Sequence, residues 1–311
     1  MRFSYIILIG FIVFCIWTGV TFLKPVNLAN EVMVEIPYGS SVIKSGEILK
    51  NAGIIESKES YLILSKVLHP DGIYSGRYYF SGRVTIYDAL NHLANGKFGR
   101  DQIRLTIPEG FTAEEVINRI YKLFPNIDKD KIQNSLGSTD GFIYPETYFF
   151  DGATTADELV IDLKTRSSKK ISSLISPIKL NTKEAERIII IASLVESEGK
   201  TKDERHTVAG IIENRLKIDM PLQLDATLQY ITGRGSSELS LKDLKINSEY
   251  NTYIYKGLTP TPISNPGEES ILAAMNPTKN DYLFYLHDNN GQIYYAKTFD
   301  EHVKNKNKYL K

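Results

Sequence analysis

The chain has 311 residues, 37 Lys and Arg against 37 Asp and Glu, 42% hydrophobic residues and one cysteine. These figures exclude a disordered chain, and the balanced charge removes any bulk electrostatic drive toward nucleic acid. A lone cysteine supports neither a disulfide framework nor a cysteine-based zinc site, and the length allows about two domains with a sizeable core.

From Tyr5 to Leu23 the sequence reads YIILIGFIVFCIWTGVTFL, without a charge. As a helix rising ~1.5 Å per residue it comes close to spanning the ~30 Å hydrocarbon layer. The sequence therefore predicts a transmembrane anchor at residues 5–23 behind a cytoplasmic tail at 1–4. The run exceeds the ~7–15 residues of a signal-peptide core, and KPVNLANE after it holds no small-x-small cleavage site. Cys15 lacks the small residues that precede a lipoprotein cysteine and reads as membrane-facing. Arg2 and the amino terminus, set against Lys24, slightly favour a cytoplasmic N-terminus. The expected location is the cytoplasmic membrane, single-pass, with a nearly neutral body on the outer side and residues 24–34 as a linker.

Three short units of strand, turn and amphipathic helix come next. Ile36-Pro37-Tyr38-Gly39 leads into SSVIKSGEILKNAGI. Arg77-Tyr78-Tyr79-Phe80 and Ser81-Gly82 lead into VTIYDALNHLANGK. Ile107-Pro108-Glu109-Gly110 leads into FTAEEVINRIYKLF. Their shared order suggests small α+β modules ahead of a longer C-terminal half.

That half opens with a helix capped by Asn181 or Thr182 and stopped at Gly199. Ile188 to Val195 is apolar on all sides, so this helix belongs in the centre of a domain. Its last turn carries Glu196 and Glu198, roughly 200° apart at about 100° per residue, so the two cannot face one cleft. Glu198 shares the apolar stripe of Leu194, Ile191 and Ile190, which puts its carboxyl at the lip of the core, where desolvation favours general acid/base use. Glu196 reads as supporting. Solvation of the helix end by both is the plain alternative, although acidic residues there oppose the helix dipole.

Arg205 to Ile218 is expected as another helix, with Asn214 and Arg215 on it. Alternation from Pro221 to Thr227 predicts an extended segment with Gln223, Asp225 and Thr227 on one side, facing either a cleft or water. Tyr250 to Tyr253 and the Pro-rich stretch from Gly257 to Gly267 read as rigid polar loops. No HExxH, GxSxG or P-loop occurs, the five histidines show no metal-ligand spacing, and the three Ser-x-x-Lys matches lack their partner motifs. No metal and no cofactor are expected.

In order, Asp140-Gly141-Phe142-Ile143-Tyr144-Pro145-Glu146-Thr147-Tyr148, IASLVESEG, VAGIIENRL, LQLDATLQY, YNTYIYKGLTPTPISNPG and AAMNPTKNDYLFYL resemble the MltG or YceG-like endolytic murein transglycosylases over nearly the whole chain after the anchor. The resemblance implies an α+β fold with one N-terminal transmembrane helix, a small LysM-like module at 35–100 associated with glycan binding, and a larger mixed catalytic domain at 101–311. It also implies cleavage of peptidoglycan glycan strands between MurNAc and GlcNAc, with 1,6-anhydro-MurNAc ends, terminating nascent strands. The expected partners are the glycan strands, cell-wall synthases of the elongation machinery and, through residues 5–23, the membrane; no nucleic acid is expected.

The chemistry it implies needs one carboxyl. A Glu protonates the glycosidic oxygen and then takes the proton of the muramyl C6 hydroxyl, which attacks C1, whereas ordinary glycosidases use a second carboxylate. The family motif places this Glu at Glu198, with Glu196 the runner-up, and marks Gln223, Asp225, Asn251, Tyr253 and Asn265 as substrate-binding positions. Ala226 departs from the family, which usually has Pro there, and so does Thr261, where Gly is common. The alternatives are a non-catalytic peptidoglycan-binding scaffold for wall synthases and a hydrolase using Asp225 as partner carboxylate.

Overall fold

A computed structural model of the chain describes residues 24–68, 72–99, 102–152, 154–175, 182–235 and 238–310. It divides into two compact units, one of the described residues up to Arg104 with Phe149–Thr154, the other of Leu105–Tyr148 with Thr155–Lys311.

In the first unit, β1 (Val26–Ile36) and β2 (Gly76–Val84) form an antiparallel pair enclosing α1 (Val42–Asn51) and α2 (Lys58–Leu68) in sequence, followed by α3 (Ile86–Ala94). Val34 opposes Tyr78 and Ile36 opposes Gly76, so strand alternation sends Val34, Ile36, Tyr78 and Phe80 into one core with Leu49, Tyr61 and Leu90. Ser41 and Thr85 cap α1 and α3 through their side chains, the second as a reciprocal capping box with Asp88. Buried Tyr61 keeps its hydroxyl satisfied on Ser45 Oγ at 2.9 Å.

Two sequence expectations change here. Residues 26–34 of the expected linker are strand, and Ser81-Gly82 is no turn. The chain stays extended to Val84 because β1 offers partners back to Val26, and Gly82 takes φ +69 within an irregularity between Leu28 and Val32.

In the second unit come the rest of β3 (Gln102–Thr106), α4 (Ala113–Leu123), α5 (Lys129–Leu136) and β4 (Thr147–Asp151); the unit boundary falls inside β3 and β4. Then follow α6 (Ala156–Ile175), α7 (Thr182–Glu198), α8 (Lys202–Lys217), α9 (Asp225–Thr232), α10 (Glu268–Met275), the hairpin β5 (Phe284–His287) and β6 (Ile293–Ala296), and α11 (Phe299–Tyr309). As the sequence predicts, α7 is central: Ile191, Ala192, Leu194 and Val195 are fully buried, and α8, α9 and α10 pack around it. Burying each of the larger side chains contributes about 1.5–3 kcal/mol, so this helix fixes the unit. Asn181, one of its two expected caps, lies outside the described residues.

The expected transmembrane helix is not carried forward. Residues 5–23 and the tail at 1–4 lie outside the described residues, and among the described residues no helix is long and apolar enough to cross a membrane. Among the described residues the fold is mixed α+β, and the single-pass location at the cytoplasmic membrane is withdrawn.

Gly210 marks a close backbone approach in the second unit. A Cβ there would lie 2.2 Å from the Thr278 carbonyl oxygen and 2.5 Å from Asn280 Nδ2. Gly210→Ala is expected to destabilise the protein by about 1–3 kcal/mol despite alanine's better helix propensity, read as a lower urea midpoint.

Candidate functional site

The last turn of α7 separates its two glutamates as their angular spacing requires. The Glu196 side chain is 5% exposed and bonded through both oxygens: Arg205 donates to Oε1 at 2.8 Å and the Gly267 N–H to Oε2 at 2.9 Å. Arg205 also lies 3.7 Å from Glu109, whose carboxyl is pushed up by burial and then by the Glu196 charge. Glu196 thus ties α7 to α8 and to the start of α10.

Glu198 meets a different environment. The Tyr285 hydroxyl on β5 donates to its Oε2 at 2.7 Å. Burial pushes the carboxyl above its ordinary range; Tyr285 opposes this, the Asp225 charge adds to it, and the Ala226 N–H and the Arg215 guanidinium oppose it. The Tyr285 hydroxyl is itself raised well above its ordinary range by burial and by Glu198, so it stays a donor.

Arg215 reaches this place because α8 turns its apolar repeat inward. Val208, Ile211 and Ile212 are buried, and Arg215 continues their face with 6% exposure. Its Nε donates to the Leu283 carbonyl at 2.6 Å and its Nη1 to the Leu222 carbonyl, so the cation fixes both the entry to β5 and the extended segment before α9. The charge also lies over the Phe284 ring at 5.5 Å.

The segment 221–227 is not one extended run. Pro221 to Leu224 is extended, but Asp225 starts α9, and Thr227 returns its hydroxyl to the Leu224 carbonyl at 2.7 Å. That local bond closes the first helical turn and overrides the alternation. Thr227 is consequently buried, while Gln223 and Asp225 stay exposed. Gln223 adopts φ +48, an uncommon conformation for a residue with a Cβ, and its N–H donates to the Thr252 carbonyl at 3.0 Å. Thr252 Oγ1 accepts the Leu224 N–H at 3.0 Å, which docks the 250–253 loop on the start of α9. Tyr253 then donates to Asp225 Oδ1 at 2.6 Å.

Of the residues marked by the sequence, Glu198, Asp225 and Tyr253 are therefore brought together, with Gln223 on the same short segment. Asn251 and Asn265 are not part of that group. Asn251 is fully buried, donating to the Leu244 and Ile246 carbonyls and accepting from the Tyr253 N–H. Asn265 is fully buried as well, accepting from the Ile143 N–H at 2.9 Å and donating to the Phe111 carbonyl at 2.8 Å. Both hold loops in place. Asp140 does similar work, accepting from the Ala113 N–H at 2.7 Å and from Tyr230 at 3.0 Å.

Sequence reasoning missed Tyr285 and Arg215. Arg215 carried a signal, a charge where the apolar repeat of α8 calls for a hydrophobe. Tyr285 carried none, since one more tyrosine in a short strand reads as core. Among the described residues no group of three or more His, Cys, Asp or Glu is placed to hold a metal ion.

The class that this fold and site define is met by comparison. The model of the YceG-like family matches residues 34–308, and the chain belongs to that family. It is 31% identical to the endolytic murein transglycosylase of Bacillus subtilis, over 94% of this chain and 89% of that protein. It is 29% identical to the endolytic murein transglycosylase of Streptococcus pneumoniae strain D39, over 90% of this chain but 58% of that protein. A crystal structure of a YceG-like protein from Listeria monocytogenes superposes with a TM-score of 0.58 at 28% identity, over 88% of this chain and 99% of that one. The family expected from the ordered motifs is the family found.

Asn265→Ala is expected to cost about 1–3 kcal/mol, because it leaves the buried Ile143 N–H without its partner and removes one of the two bonds to the Phe111 carbonyl, which keeps the Asn265 N–H. Asp225→Asn, on an exposed side chain, should leave the urea midpoint within about 0.5 kcal/mol of the parent.

Proposed function

We propose that the chain is an endolytic murein transglycosylase, with Glu198 as its only general acid/base. The observation that carries the reading is the environment of Glu198: a carboxyl raised by burial near Asp225 and Tyr253, in a chain whose relatives bear that activity in their names. A carboxyl held above its ordinary range by burial suits proton donation to a glycosidic oxygen.

The reaction balances on that one group. Glu198 gives its proton to the bridging oxygen, and the C1–O bond breaks with its electron pair leaving on the GlcNAc side. The muramyl C6 hydroxyl closes on C1 and returns its proton to the carboxylate, forming the 1,6-anhydro end without consuming water. Asp225, held by Tyr253, lies on the same side as Glu198 and stabilises positive charge that develops at C1. Gln223 and Tyr253 are read as sugar contacts. Asn251 and Asn265 act through the loops they hold. Cutting inside strands ends their growth, which makes synthases of the same strands the partner class this reading carries. Residues 35–100 are read as a LysM-like glycan-binding module.

The proximity of Asp225 also supports a second reading, a hydrolase with two carboxylates. Mass spectrometry of glycan strands treated with the chain separates them: anhydro-muramyl ends support the proposal, reducing ends the hydrolase, and intact strands a scaffold. Glu198→Gln should abolish cleavage while Glu196→Gln retains it in the folded fraction; the reverse pattern would move the assignment to Glu196.

Two further outcomes follow from the raised carboxyl. Cleavage begins from the acid form, so the rate should be held below the folded-state pKa and fall as pH rises through it, with that limb above the ordinary carboxylate range. The same burial disfavours the fold: Glu198 supports it below the unfolded pKa and costs stability as pH rises through the folded one. Glu198→Gln should therefore raise the neutral-pH melting temperature by about 2–4 °C, the shift that ~1 kcal/mol gives a protein of this class.

A further inference from the structure

A carboxyl that must first give and then take one proton needs that proton on the oxygen facing the sugar. We propose that Tyr285 is the positioning residue that decides this, assisted by the Ala226 N–H. The inference rests on the reading of Glu198 given above and assigns a role to the group behind it.

The geometry is specific to one oxygen. Tyr285 donates to Glu198 Oε2 at 2.7 Å, so Oε2 is the carbonyl oxygen of the acid form and the proton resides on Oε1. The ring of Tyr285 packs against the second-unit core, and β5 is paired with β6 through Tyr285 and Tyr295, so the hydroxyl is delivered from a fixed strand. Two fixed bodies thus bracket the carboxyl, the end of α7 and β5. After proton transfer the donor stays on Oε2 and stabilises the carboxylate, leaving Oε1 to receive the C6 hydroxyl proton. One bond serves both halves of the cycle, because it does not have to move between them.

Ala226 adds to this from a second direction. Its N–H, in the first turn of α9, also favours the charged form of that carboxyl, and a proline at this position would remove it. The charged and titratable groups that face Glu198 are Asp225 on α9, Arg215 on α8, Tyr285 on β5 and Tyr253 in the adjoining loop. Of these, Tyr285 is the one hydrogen-bonded to the carboxyl through its side chain.

The test is Tyr285→Phe in the full chain, which keeps the ring and removes the hydroxyl, assayed on glycan strands beside the parent, Ala226→Pro and Glu198→Gln. The expected result is a kcat about tenfold lower with KM within twofold of the parent. The alkaline limb should move to higher pH, since the lost bond favoured the charged form. Ala226→Pro should move the limb the same way, and both variants should melt as single transitions. A Tyr285→Phe enzyme with the parent's rate and limb overturns the proposal, and so does a lower rate with an unmoved limb, which would assign the hydroxyl to packing. An unmoved limb in Ala226→Pro overturns the part given to the N–H. Cleavage by Glu198→Gln overturns instead the reading of Glu198, whatever Tyr285→Phe does.

Discussion

The second unit is organised around an electrostatic liability, a carboxyl set at the C-terminal end of a buried helix. Both the apolar surroundings of α7 and the negative end of its dipole disfavour an anion at Glu198. Three elements answer that cost from different directions: β5 with the Tyr285 hydroxyl, the first turn of α9 with the Ala226 N–H, and α8 with the Arg215 charge. None of the three can shift alone. Arg215 holds the carbonyls of Leu283 and Leu222, one leading into β5 and the other toward α9, so the groups that stabilise Glu198 are locked to one another before they reach it.

Glu196, two residues earlier, shows what full satisfaction looks like. Its oxygens are taken by Arg205 and by the Gly267 N–H, and its carboxylate works as a clasp between helices. A carboxylate so engaged has little capacity for proton transfer. The same turn of helix thus presents a saturated carboxylate on one side and a desolvated acid on the other, and the ~200° between them keeps the Arg205 cation away from the acid.

Much of this was legible in the sequence because it rests on periodicity and capping. The strand, turn and helix order around Ile36 and Ile107, the buried α7, its end at Gly199 and the two faces of Glu196 and Glu198 all follow from spacing. What was not legible depends on local bonds that compete with spacing. The alternation from Pro221 to Thr227 pointed to an extended strand, but the Thr227 hydroxyl bonds Leu224 and a helix starts at Asp225. Asn251 and Asn265 were marked by ordered polar motifs, yet a motif records only that a residue type is required. It does not distinguish an amide that holds sugar from one that holds a loop, and burial with every polar atom bonded points to the loop.

At position 226 a substitution can change one atom and leave the shape alone. Pro and Ala both fit the first turn of a helix, so α9 would start at Asp225 with either residue. Only Ala presents an N–H, and that N–H favours the charged form of the Glu198 carboxyl. Substitution at 226 therefore changes how strongly the acid holds its proton while the surrounding backbone stays as it is. A change of donor around one carboxyl shifts its proton affinity without rebuilding the helix that carries it. The required element is the buried end of α7, and the adjustable ones are the groups that touch Glu198 from α9 and β5.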